Sequence, residues 1–122
     1  MGYRSDVVIV IAFDQNDELV NFMSPRLLKE ELRYLKKYCR FYEGKSYCVI
    51  ELYGTKWYED SEEVNPIIEL MDEAVEEWGG YRFLRIGEDI EDMEDRCEDT
   101  NLVNKHFLWN KVGIVRSIEV NV

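Results

Sequence analysis

The sequence predicts an α+β fold: a mostly antiparallel sheet of four to five strands, two amphipathic helices on one face, and a short acidic helix or loop. Three observations lead there. Asp6 to Phe13 is a β-branched run that is apolar on both alternating faces, as a strand covered on both sides requires. Two later stretches repeat apolar residues every three or four positions, and Ser46 to Tyr58 alternates between apolar and mixed faces. The resulting order is β-α-β-α-β-(α)-β, for which an antiparallel sheet carrying its helices on one side is the simplest packing.

With 122 residues and 46% apolar content, residues 1–122 fit one domain near the usual size, long enough to bury a core without disulfides or metal. The longest apolar stretch, Val7 to Phe13, is far shorter than the ~18 residues of a membrane helix. Arg4 and Asp6 do not resemble a secretory leader. A cytoplasmic protein without a membrane partner is therefore expected.

Asp14-Gln15-Asn16-Asp17 is rich in turn formers and stops the first strand. Ser24-Pro25 reads as an N-cap with proline at the first helical position, and Leu28, Leu32, Leu35 and Cys39 follow at helical spacing. In the strand Ser46 to Tyr58, Cys48, Ile50 and Leu52 share one face; Tyr47, Val49, Tyr53 and Trp57 share the other with Glu51. A second helix starts at Asp60 or Ser61, carries Val64, Ile67, Ile68, Met71, Val75 and Trp78 on one stripe, and ends at Gly79-Gly80. Its opposite face carries Glu62, Glu69, Asp72, Glu73 and Glu76.

Tyr81 to Ile86 reads as a third strand, and Phe107 to Val122 as a long strand or a hairpin bent at Gly113. Between them Ile90, Met93 and Cys97 suggest a short acidic helix.

Cys39, Cys48 and Cys97 form no C-x-x-C pair, and His106 is the single histidine, so no zinc set is visible. Reduced thiols are expected, with a Cys39–Cys48 bridge left open by the spacing. Eight of the twelve residues from Glu88 to Asp99 are acidic, yet they lack the D-x-D-x-D-G order and internal glycine of a calcium loop. No G-x-S-x-G, P-loop, G-x-G-x-x-G or H-E-x-x-H occurs, leaving hydrolase, kinase and dinucleotide chemistry without support. No catalytic residue, metal or cofactor is assigned. His106 reads as a surface or sheet-edge side chain.

Charge is distributed unevenly. The net formal charge is −11, but Glu59 to Asp99 alone holds seventeen acids against Arg82, Arg85 and Arg96. The Arg26 to Lys45 segment holds seven Lys or Arg against Glu30, Glu31 and Glu43. Tyr47, Tyr53, Trp57, Tyr81, Phe83, Phe107 and Trp109 could form a base-stacking platform, but the negative field argues against direct nucleic-acid binding. Core or a homodimer interface on the second sheet face suits them better. Duplex DNA carries a charge per roughly 1.7 Å, so seventeen carboxylates correspond to about 30 Å of duplex. The acids therefore suggest a surface that occupies a nucleic-acid groove on a partner; solubility alone is the bland alternative.

Met1-Gly2-Tyr3-Arg4-Ser5-Asp6, Lys56-Trp57-Tyr58 and Arg85-Ile86-Gly87-Glu88-Asp89 resemble segments shared by a group of uncharacterised small proteins of tailed bacteriophages and prophages. The similarity spans most of the chain, and no functional residue carries over from it. It implies a phage origin, and small acidic accessory proteins of phages are often inhibitors of host defence, including anti-CRISPR proteins and DNA mimics.

The leading expectation is thus a non-enzymatic, anti-CRISPR-like inhibitor, cytoplasmic in the bacterial host, that binds a host nucleic-acid-handling protein complex. Its phosphate-mimicking surface would use Glu88, Asp89, Glu91, Asp92, Glu94 and Asp95, helped by Glu69, Asp72, Glu73 and Glu76. One alternative is self-association, with basic Pro25 to Arg40 of one copy facing acidic Val64 to Trp78 of another. A second is an enzyme or small-ligand site assembled from Arg4, Asp6, Lys56, Trp57, Arg85 and Glu88. Arg4, Arg82 and Arg85 sit near apolar strand positions and require anionic partners there; Arg85 would otherwise pair with Asp6 or Glu51.

Overall fold

Seven apolar residues in succession, Val7 to Phe13, are each at most 3% exposed, and the fold is arranged to cover them from both sides. In the computed structural model, which describes residues 3–89, 91–99, 112–114 and 118–120, they lie in and just after strand β1 (Ser5–Ala12). β2 (Cys39–Phe41), β3 (Tyr47–Thr55), β4 (Gly80–Ile86) and β5 (Met93–Asp99) complete a five-stranded antiparallel sheet ordered β2-β3-β1-β4-β5. Ile90, His106, Phe107 and Trp109 lie outside the described residues.

Two helices, α1 (Asn16–Leu27) and α2 (Asn65–Glu76), cover one face. Leu19, Phe22, Met23 and Leu27 of α1 and Ile67, Leu70, Met71 and Ala74 of α2 pack into one cluster with Val7, Ile9, Ile11, Ile50 and Phe83. Each fully buried aliphatic or aromatic side chain contributes about 1.5–3 kcal/mol of transfer free energy. On the other face Val8, Val10, Ala12, Tyr47, Val49 and Leu84 form a second buried cluster. A further antiparallel pair, β6 (Val112–Ile114) and β7 (Ile118–Val120), meets β1 and β4. That second face holds its own buried cluster; Tyr47, Tyr81 and Phe83 are core, whereas the strand aromatics Phe41 and Tyr53 are exposed.

The first helix differs from expectation. Asp14 to Asp17 both ends β1 and starts α1, whose first-turn acids Asp17 and Glu18 complement the positive helix end. Pro25 lies inside its last turn instead of opening it. Leu28, 65% exposed, is outside the core, and residues 33–37 form a 3₁₀ turn. Leu32 and Leu35 are spaced for that tighter winding, with the Leu35 N–H on the Leu32 carbonyl at 2.9 Å; Cys39 already belongs to β2.

The acidic run is not a helix either: Met93 to Asp99 is strand β5, each residue paired with β4. Alternation there sets Glu94 opposite Arg85 and Glu98 opposite Tyr81, giving carboxylates cross-strand partners that a helix would not supply. Met93 and Cys97, whose spacing suggested the helix, are exposed. In the β6–β7 ladder Gly113 sits opposite Glu119, not at a bend.

Trp57 changes face as well. The β1–β3 register runs Ser5↔Thr55 and Val7↔Leu52, an extra residue on β3, and Gly54 there has φ of 62°. This bulge resets the alternation, so Trp57 joins Leu52 in the helix-side core and contacts Phe83 at 5.4 Å between ring centres.

The end of α2 is a Schellman-type turn in which the Gly79 N–H reaches the Ala74 carbonyl at 2.8 Å. Trp78, not glycine, takes the left-handed position with φ of 69°, and it is 66% exposed instead of lying on the buried stripe. Gly79 is fixed by crowding: a β-carbon would come within 2.7 Å of the Ala12 carbonyl and 2.8 Å of the Phe13 ring. Neighbouring substitutions should act with opposite sign. Trp78→Gly should raise stability by about 1 kcal/mol by relieving the left-handed strain, and Gly79→Ala should lower it by about 1–3 kcal/mol through overpacking, both read from urea unfolding midpoints.

Candidate functional site

Sidedness of the strands decides what the charged residues meet. Arg85 shares the helix-side face with Phe83, whereas Asp6 and Glu51 fall on the opposite face, so neither is its partner. Arg85 Nη2 instead donates to Asp92 Oδ1 at 2.6 Å and its Nε to Glu94 Oε1 at 2.8 Å; Nη1 reaches Ser5 Oγ at 3.1 Å. Asp6 accepts from the Gly54 N–H at 2.8 Å, and Glu51 accepts from the Tyr53 hydroxyl at 2.6 Å.

Around Arg85 three distant segments converge. The Tyr3 hydroxyl donates to Asp92 Oδ2 and accepts from the Asp89 N–H, each at 2.8 Å, and the Tyr3 N–H donates to the Tyr58 hydroxyl. The Arg4 N–H donates to Glu88 Oε2, and Arg4 Nη1 to the Gly54 carbonyl. A β-carbon on Gly87 would overlap the Asp92 carboxylate and Tyr3 hydroxyl, so a larger residue would have to displace these two side-chain ends. Arg4 and Glu88 are thus joined beside the Arg85 cluster, while Asp6 lies on the opposite face against the Gly54 N–H. The Arg85 guanidinium and the Tyr3 hydroxyl hold the Asp92 carboxyl below the usual carboxylate range. Hydrogen bonding to Asp92 in turn raises Arg85.

The ten acids singled out in the sequence divide into two groups. Asp92 and Glu94 bind Arg85, Asp95 binds Arg82 through two hydrogen bonds, and Glu73 binds Arg26 Nε at 2.8 Å. Glu88 is used by Arg4. Glu69, Asp72 and Glu76 lie exposed along one stripe of α2, and Asp89 and Glu91 lie exposed in the turn before β5. The Tyr81 hydroxyl donates to Glu98 Oε2 at 3.1 Å and is raised first by desolvation and then by that bond.

At the start of α2 a cavity of about 430 Å³ opens between the 3₁₀ turn, the end of β3 and the helix. Tyr34, Trp57 and Tyr58 supply aromatic wall, Leu52, Val64 and Ile67 aliphatic wall, and Lys56 and Glu63 charge. The Tyr34 hydroxyl donates to the Glu63 carbonyl at 2.8 Å, and Ser61 Oγ accepts the Val64 N–H at 3.3 Å. Trp57 is 8% exposed, and its indole N–H is buried without an acceptor among the described residues. Of the residues expected for a ligand site, the cavity takes Lys56 and Trp57, while Arg4 and Arg85 belong to the neighbouring cluster. Tyr34 and Trp78 were missed as surface residues; the three-residue Leu32–Leu35 spacing and the Trp-Gly-Gly helix end were the signals.

Among the described residues no group of three or more His, Cys, Asp or Glu is placed to hold a metal ion. Cys39 and Cys48 lie together as free thiols, and hydrogen bonding with Cys39 and burial push Cys48 well up. Among those residues no helix is long and apolar enough to cross a membrane. No protein-family model matches the chain, and no curated protein or solved structure matches it. The class defined by fold and site is an antiparallel α+β protein with an acidic helix beside an aromatic cavity.

Since Asp92 is depressed in the fold, its contribution is present above the unfolded carboxylate pKa of about 3.9 and is lost as pH falls through its folded value. Unfolding midpoints in urea between pH 7 and pH 3 should fall below about pH 4 in the parent. They should fall less steeply in Arg85→Leu, which lacks the group that holds Asp92 ionised. Parallel curves would show that the cluster is not coupled to folding.

Proposed function

We propose that this chain is a non-enzymatic binding protein of phage origin that inhibits a host defence or nucleic-acid-handling complex by docking its acidic α2 surface on a basic surface of that complex, inside the host cytoplasm. The observation that carries the reading is the unfavourable chemistry of α2. The helix contains no Lys or Arg, and of Glu69, Asp72, Glu73 and Glu76 the last two lie in its final turn, where the dipole disfavours anions by about 0.3–1 kcal/mol each. Glu69/Glu73 and Asp72/Glu76 are like-charge i,i+4 pairs, each costing a few tenths more. Arg26 relieves Glu73. Exposed Trp78, held in a left-handed conformation beside Glu76 and Glu77, adds the kind of aromatic anchor that dominates interfaces.

A second reading, self-association, is supported by exposed Leu28 and Phe41 beside Lys36, a basic apolar patch to which the acidic Trp78 end of another copy is complementary. A mass in solution that is dimeric or larger at low salt and monomeric at high salt would favour it.

The test reverses charge where the fold does not depend on it. Glu69→Lys, Asp72→Lys and Glu76→Lys together should keep the circular dichroism spectrum. They should also weaken the complex captured from bacterial lysate about a hundredfold, at about 1 kcal/mol per surface charge. Duplex DNA should displace that partner. Retention of the same partner at the same affinity by the triple variant would sink the docking surface.

A further inference from the structure

The cavity at the start of α2 combines features that select one kind of occupant. Three of its walls are aromatic rings, those of Tyr34, Trp57 and Tyr58, and ring faces attract cations, indole most strongly. Glu63 lines it, and Glu59, Asp60 and Glu62 are exposed on the segment that leads into it, against Lys56 as the one cation among the lining residues. Lys56 is exposed, and such a side chain extends its ammonium to water on a flexible stem. Leu52, Val64 and Ile67 offer aliphatic surface deeper in, suited to methylenes. Trp57 packs on Phe83 at 5.4 Å between ring centres, which holds the indole in place as the wall a cation would meet. The chain also uses this chemistry internally, with the Arg96 guanidinium 4.5 Å above the Phe83 ring and 3.7 Å from Glu59.

We infer that this cavity receives an organic cation on an apolar stem, and specifically an arginine side chain of the partner that docks on α2. The inference rests on the docking reading for the source of that side chain and on the cavity alone for its chemistry. Methylenes lie against Leu52, Val64 and Ile67, and the guanidinium stacks among the rings with Glu63, Asp60 and Glu62 around it.

The full chain, labelled with ¹⁵N, is titrated with n-butylguanidinium, with pentanoate and with n-butanol, and the Trp57 indole signal is followed. Butylguanidinium should shift it saturably and bind at least about tenfold more tightly than either control. Tyr34→Leu, Tyr58→Leu and Glu63→Gln, all at partly open positions, should each weaken it about two- to fivefold, and Lys56→Gln should tighten it by a similar factor. Equal binding of pentanoate or butanol, or no saturable shift, overturns the site. If butylguanidinium fails while the triple-lysine variant still loses its partner, the cavity proposal falls and the α2 surface stands. If butylguanidinium binds but the triple-lysine variant keeps its partner, the arginine source is overturned.

Discussion

Burial of β1 on both faces is the constraint from which the rest follows. A strand whose consecutive side chains Val7 to Ala12 are all at most 1% exposed cannot lie at a sheet edge or leave one face to water. It must gain a neighbour on each side, β3 and β4, and a covering layer on each face. At its polar start, Ser5 and Asp6, the strand itself contributes polar side chains. There the alternation that sorts Val7 from Val8 also sorts Ser5, which meets Arg85, from Asp6, which meets the Gly54 N–H. The arginine-centred cluster is a by-product of the same geometry that makes the core.

That cluster explains why an acidic run folds as an edge strand. β5 contributes almost no apolar burial, and its closest intrinsic alternative is a solvated loop. Arg85 and Arg82 hold it from opposite faces of β4, through Asp92 and Glu94 on one and Asp95 on the other. Charged, inward-leaning side chains on an edge strand also discourage pairing with further chains. The acids of β5 therefore have a structural use, as Glu73 of α2 has with Arg26, whereas Glu69, Asp72 and Glu76 lie exposed on that helix. Exposed carboxylates remain on α2 where they face one another, and the docking proposal rests on that contrast.

The central strand, the Ser46 to Tyr58 strand, the second helix and the sheet-on-helices class were legible because each is a long periodic pattern. The first helix was not. Leu28, Leu32 and Leu35 fit a 3.6-residue repeat as well as they fit an exposed residue followed by a 3₁₀ turn, and Pro25 is a better known helix opener than helix interior residue. β5 was misread because its partners are on another strand: Glu94 acquires its meaning from Arg85 across the ladder, which no local window contains. Trp57 moved face through one extra residue at Gly54, the kind of slip that inverts every later position. Of the site, the residues near Arg4, Lys56, Trp57, Arg85 and Glu88 were legible as a group, but which of them line a cavity and which are consumed by one another depends on that bulge.

Sorting the acids into engaged and free also changes what the surface can imitate. Along α2, Glu69, Asp72 and Glu76 are separated by about 4.5 and 6 Å at the helical rise of 1.5 Å per residue, whereas one DNA strand advances about 3.4 Å per phosphate and a duplex presents a charge every 1.7 Å. The count of seventeen overstates the free charge, because Asp92, Glu94, Asp95 and Glu73 are already paired with arginines. Such a stripe can steer association with a basic surface, and steering is screened beyond about 8–10 Å at physiological salt. Discrimination between one basic partner and another has to come from shape. The helix is flanked by two features that can provide it, the cavity of Tyr34, Trp57 and Tyr58 at its start and exposed Trp78 at its end, about 18 Å apart for twelve helical residues. Under the proposed docking, a partner that matched both that spacing and the charge between would be recognised by geometry, with the acids setting the rate at which it is found.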